Sequence, residues 1–246
     1  MIGLVLSILW KALATAIVII AVGRIAERAG PWFAAILVGF PASIGPGMVL
    51  LSLEHESVFI SEAALHSLST TTPVLGFLLA YVLLSRVGGL WLCLVGGYLV
   101  WLPVALALGR LSLSLPLVLV MLAVSFFVVG RLMPRRHPLT HEQSPTRGWR
   151  FLIVRGVAAG LVVGSVVSLA PVLGPRFAGI FVSFPVVLAT AAWMLTKAGG
   201  HALAVATLSQ ADRGLGSFVA FCLVVHLLAG PLSGLAATLV ALGASA

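Results

Sequence analysis

Apolar runs of membrane-spanning length follow one another along the chain, separated by short clusters of charge, glycine and proline. A window of about 19 residues picks out segments near 3–23, 31–53, 58–86, 88–108, 113–133, 151–173, 176–197, 201–230 and 231–245. A bilayer crossing takes about 20 apolar residues, so the pattern predicts about nine transmembrane helices, the last short and glycine-rich. The one long polar stretch, PRRHPLTHEQSPTRGWR at 134–150, has the proline, glycine and charge content of a solvated loop.

Composition turns this pattern into a class. The chain is 61% apolar and 8% charged, against roughly 25% charged in an ordinary soluble domain. Twenty charged side chains in 246 residues cannot cover a water-exposed globule, which excludes a soluble monomer. The length is used up by the helices, so a soluble catalytic module is excluded as well. The net charge of +8 comes from twelve Arg and two Lys, and in such a chain it reports orientation rather than nucleic-acid binding. On one set of alternate loops lie Arg24, Arg28, Arg86, Arg131, Arg135, Arg136, Arg147, Arg150 and Lys197; the other set has Arg110 and Arg176. By the positive-inside rule the N-terminus is expected outside, with the C-terminus and the 134–150 loop in the cytoplasm. The first run lacks a basic leader and is interrupted by Lys11, so it is read as a retained helix rather than a signal peptide. Cys93 and Cys222 lie in apolar runs with no metal-type or disulfide spacing.

Sliding the chain against itself exposes a repeat. Residues 30–41 read GPWFAAILVGFP and residues 174–185 read GPRFAGIFVSFP, a fixed offset of 144 with eight of twelve positions identical. Leu, Val and Ala match cheaply in any apolar chain, but Gly30 with Gly174, Pro31 with Pro175, Phe33 with Phe177, and Phe40–Pro41 with Phe184–Pro185 do not. The same offset pairs Phe77 with Phe221 and Lys11 with Arg155. The expected organisation is a first repeat of four helices (1–110), a linking helix and cytoplasmic loop (111–150), and a second repeat of four helices (151–246). The odd number of crossings between corresponding points turns the second copy upside down. Inverted repeats of this kind are a common construction of secondary transporters.

The AGI-x-VSFP stretch at Ala178 to Pro185, and the weaker AAI-x-VGFP at Ala34 to Pro41, resemble the GlpM-like family of small bacterial inner-membrane proteins. The resemblance implies a bacterial inner-membrane location and a four-helix unit in each half, and supplies no catalytic residues. A doubled unit with an extra helix reads as a single-chain version of an antiparallel pair.

The residues that stand out chemically are few. Lys11 has ten residues before it and about a dozen after it up to Gly23, so neither flank alone spans and the ammonium sits inside the membrane. A buried charge costs on the order of 3 kcal/mol on insertion scales and usually marks a substrate or ion path. Arg155 either shares that role or snorkels to the interface. Pro41 and Pro185 can break the second helix of each repeat, presenting half-helix N-termini that favour an anion. Lys11, Arg155, Phe40, Pro41, Phe184, Pro185 and Thr71 are therefore the expected substrate contacts. Glu62 and His66, four apart on one helix face, could pass a proton. Counting back from Arg86, however, puts His66 at the outer interface and Glu62 beyond it. Glu54, His55 and Glu56 read as solvated residues of an outer loop, and Asp212 and Arg213 as loop or cap residues.

No catalytic motif and no metal-type cluster is present. The expectation is a non-enzymatic, cofactor-free secondary transporter or lipid-headgroup translocator. Its partners are the lipid bilayer and an anionic small molecule or lipid head group, with a homodimer or an envelope-pathway protein as a further possible partner. The alternative is a non-catalytic membrane subunit of an envelope polymer or lipid pathway.

Overall fold

The structure, a computed structural model, describes residues 2–28, 44–134 and 149–244. Phe40 and Pro41 lie outside the described residues, as does most of the 134–150 stretch. The described residues form helices and short connections, with no strand among them. Ten helices follow in order: α1 (Ile2–Arg28), α2 (Ile44–Glu54), α3 (Ser57–Ser69), α4 (Thr71–Leu84), α5 (Leu90–Arg110), α6 (Leu115–Leu132), α7 (Trp149–Val182), α8 (Val186–Leu208), α9 (Leu215–Leu228) and α10 (Gly234–Ala244). In so apolar a chain the helix satisfies backbone N–H and C=O groups without water, which sheet edges and open loops cannot do in lipid.

Five segments are long and apolar enough to cross a membrane: Gly3–Val22, Ser57–Leu84, Leu90–Arg110, Leu115–Leu132 and Leu152–Lys197. These are the candidate spans among the described residues; nine crossings are not shown there. The segment 58–86 is two helices meeting at Thr70, and 201–230 is divided by a short 3₁₀ turn at Ala211–Gly214. The division between 151–173 and 176–197 is present as a kink at Gly174, whose φ of 71° is open to glycine and strained for other residues. Of 31–53 only Ile44–Glu54 is described. The final helix has 11 residues, about 16 Å of rise against a hydrocarbon core of about 30 Å. A hydropathy window averages over such interruptions.

The first half of α7 packs antiparallel on α1. The carbonyls of Ala16, Ala12 and Ile8 stand where a Cβ on Gly156, Gly160 and Gly164 would be, so only glycine lets the two backbones come this close. Gly156 also abuts Ile20, and Gly164 abuts Ala12. Beyond the kink, α7 lies on α3, with Gly179 against the Ala63 backbone. α3 also meets α9, where the Ser61 hydroxyl and the His226 ring are 3.0 Å apart. These helices enclose a core that includes Ile44, Met48, Leu51, Ile60, Leu68, Phe221 and Val225. A second core of Phe77, Leu78, Tyr81, Trp101 and Ile180 joins α4, α5 and α7. α6 buries Val118, Leu122 and Val129 and leaves Val120, Val124 and Phe127 exposed, an apolar outer face suited to lipid.

Candidate functional site

Lys11 lies nine residues into α1, about 13 Å from its start by helical rise. It is only 3% exposed, and its Nζ donates to Glu54 Oε2 at 2.7 Å. Glu54 is thus no free loop residue: it ends α2 and holds the buried ammonium, its own side chain 37% exposed. One turn beyond Lys11, the buried hydroxyl of Thr15 has no hydrogen-bond partner. Thr15 lines a groove of about 250 Å³ between α1 and α2, otherwise walled by apolar residues such as Val18, Val49, Leu50 and Leu242. At the end of α2, His55 stacks on Phe59 with centroids 4.0 Å apart. Burial pushes the His55 imidazole below its ordinary value; Glu54 opposes that shift and Lys11 adds to it.

A second ion pair joins α3 to the kinked part of α7, with Arg176 Nε donating to Glu62 Oε1 at 2.7 Å, both side chains about a third exposed. Glu62 is therefore near a surface, as the count from Arg86 predicts. His66 is not: it is 1% exposed, and its Nδ1 lacks a partner. A solvated His66 is therefore excluded: its turn of α3 is covered by protein. From His66 onward the polar groups turn inward. Ser69 Oγ donates to the His66 carbonyl, and Thr70 Oγ1 to that of Ser67. Pro73 has no N–H to offer the Ser69 carbonyl. Thr71 is buried at the start of α4, its hydroxyl without a partner.

The break at Phe184–Pro185 is present: α7 ends at Val182, α8 begins at Val186, and Pro185 has a ψ of 43°. The Phe184 ring stacks on Tyr98 at 5.2 Å and meets Trp101 edge-on at 5.0 Å. The Gly179 carbonyl accepts from Ser67 Oγ at 2.7 Å and Ser183 Oγ at 3.0 Å, tying the end of α3 to the break. Ser67, one residue after His66, is thus joined to the break, while Phe184 packs on Tyr98 and Trp101 of α5.

Lys11 and Arg155 flank the seam. The pairings of Ala12 with Gly160 and Ala16 with Gly156 centre it at the level of Ala14 and Ala158. Each basic residue lies three positions from that centre, on opposite sides, about 9 Å apart along the helix axes. Arg155 is half-buried. Asp212 lies in the 3₁₀ turn before α9. Among the described residues no three His, Cys, Asp or Glu side chains gather as metal ligands, and both cysteines are buried free thiols.

No family model, curated protein or solved structure matches this chain.

Proposed function

We propose that the protein is a small secondary transporter or lipid-headgroup translocator for an anionic substrate, built from two inverted repeats that alternate access to a site between them. The observation that carries this reading is that α1 and the first half of α7, the two helices paired by the offset of 144, pack antiparallel on each other. Gly156 touches Ala16 while Gly160 touches Ala12, and these are the same two positions exchanged under the offset of 144. Likewise Gly156 touches Ile20 and Gly164 touches Ala12. Exchange of this kind follows from antiparallel packing itself and is compatible with an inverted repeat; the offset of 144 rests on the matched segments at 30–41 and 174–185.

Element boundaries support the same offset. α4 (Thr71–Leu84) and α9 (Leu215–Leu228) coincide at both ends, and α5 and α10 begin at Leu90 and Gly234. The non-helical pair Gly199–Gly200 inside α8 falls 144 residues after the His55–Glu56 junction. Phe77 and Phe221 are both wholly buried. Lys11, Arg155 and the break at Phe184–Pro185 supply positive charge and backbone donors for the anion. In this reading the N-terminus is outside, the 134–150 loop is cytoplasmic, and the GlpM-like motif supports a bacterial inner membrane. The test is flux of a panel of organic and inorganic anions into proteoliposomes. At least one anion should move in the native protein, with loss of more than tenfold in the Lys11→Ala, Arg155→Ala double variant. Unchanged flux of every anion moved would overturn the reading, as would no flux of any.

A further inference from the structure

We propose that Glu54 is the proton-exchanging partner of Lys11, so that the site takes a small monoanion together with one proton. The inference rests on the transporter reading and names what that site carries. The Lys11 ammonium is bound to Glu54 at 2.7 Å, so an anion reaching it shares it with that carboxylate or displaces it. An anion that displaced an ionised Glu54 would leave two negative charges against one positive in a setting where Lys11 is 3% exposed, and unbalanced charge there is costly.

A proton on Glu54 removes that cost. In the empty site Lys11 is +1 and Glu54 is −1. In the loaded site the proton bonds to a Glu54 oxygen, the carboxylic acid releases the ammonium, and Lys11 donates to the anion. The sum is zero in both states, so neither state carries net charge through the apolar bundle.

Two features of the pair fit the exchange. Glu54 is 37% exposed and within reach of protons, whereas Lys11 is not. The Thr15 hydroxyl, one turn along the same helix from Lys11, is buried without a partner and is a nearby side-chain donor on α1 for the displacing anion. Of the other titratable groups on the packed elements, His55 feels the charges of both Glu54 and Lys11, Arg24 lies more than three turns from Lys11 along α1, and His66 is buried on α3. His55 and Glu56 sit at the α2–α3 junction, Glu62 is closed on Arg176, and Arg155 lies on the other side of the seam's centre. α10, which packs on α2, has no titratable residue.

The test is calorimetric binding to the purified full-length protein at pH 5.5 and pH 7.5, each in two buffers of different ionisation heat. The probes are acetate and nitrate in detergent, and phosphatidylglycerol against phosphatidylcholine in nanodiscs, which separates a free anion from a lipid head group. The expected result is that one probe binds with uptake of about one proton. Its affinity then falls by up to tenfold per pH unit as pH rises, because the loaded state holds the extra proton. Glu54→Gln should bind the same probe with no proton uptake and no pH dependence, and at least tenfold more tightly at pH 7.5. The neutral pair Lys11→Gln with Glu54→Gln, which folds without an unpaired charge, should not bind. Thr15→Val should weaken binding severalfold. Native binding without proton uptake that Lys11→Gln/Glu54→Gln abolishes would overturn the coupling and leave the transporter reading standing. Absence of binding by both the native protein and Glu54→Gln would overturn the two together.

Discussion

The two basic residues of the seam stand at corresponding distances from its centre but in unlike company. Lys11 is buried and clasped by Glu54 at 2.7 Å. Arg155 is half-buried, and the residue 144 positions after Glu54 is Ala198. The same contrast holds on the neighbouring helices, where Glu62 has Ala206 as its counterpart and His66 has Gln210. The backbone contacts repeat while the titratable groups do not. In the proposed inverted repeat, glycine and alanine at the seam serve both halves, whereas the proposed proton exchange needs only one carboxylate beside one ammonium.

The contrast breaks most severely at the frame. Gly160→Leu drives a side chain into the Ala12 carbonyl and should destabilise by about 3 kcal/mol or more. The control Gly130→Leu, at a position with open space, should change the melting temperature little. Next comes the paired side of the seam. Glu54→Ala leaves the Lys11 ammonium buried and should cost about 2–3 kcal/mol, toward or below the low end for buried pairs because Glu54 is partly exposed. Replacing both partners with Met and Leu should recover most of it.

Phe184→Ala should cost about 2 kcal/mol through lost stacking on Tyr98 and Trp101. The partly exposed Glu62–Arg176 pair is the sharper contrast with Lys11–Glu54: Glu62→Gln should cost under about 1 kcal/mol, and less at high salt. Smallest is His55, whose imidazole is held below its unfolded value of 6.5. The unfolded chain then binds more protons, so this contribution is full at neutral pH and is lost as pH falls below about 6.5. His55→Gln should slightly flatten the decline of melting temperature between pH 7 and pH 5.

Much of the frame was legible in the sequence. Apolar runs marked the helices, and the motif at 174–185 marked both the Gly174 turn and the break at Phe184–Pro185. Lys11 was legible as buried because neither flank could span. Its partner was not: Glu54 follows an apolar run and borders a charged cluster, and only the antiparallel packing of α2 on α1 puts it against Lys11. The burial of His66 was not legible for the same reason, since counting residues gives depth along one helix and says nothing of the neighbours that cover it. Arg176 reads as a loop cation until the Gly174 kink brings the helix after it against α3. The interruption at Thr70 lay hidden in a segment whose hydropathy stays high throughout.

The central claim is that the two halves face opposite ways. The direct measurement uses single cysteines at Ile2 and at Thr146, 144 residues apart, with Cys93 and Cys222 replaced, and a membrane-impermeant thiol reagent on intact cells. The account expects Ile2→Cys to label from outside and Thr146→Cys to label only after the membrane is opened. Labelling of both from the same side would contradict it and remove the basis for alternating access.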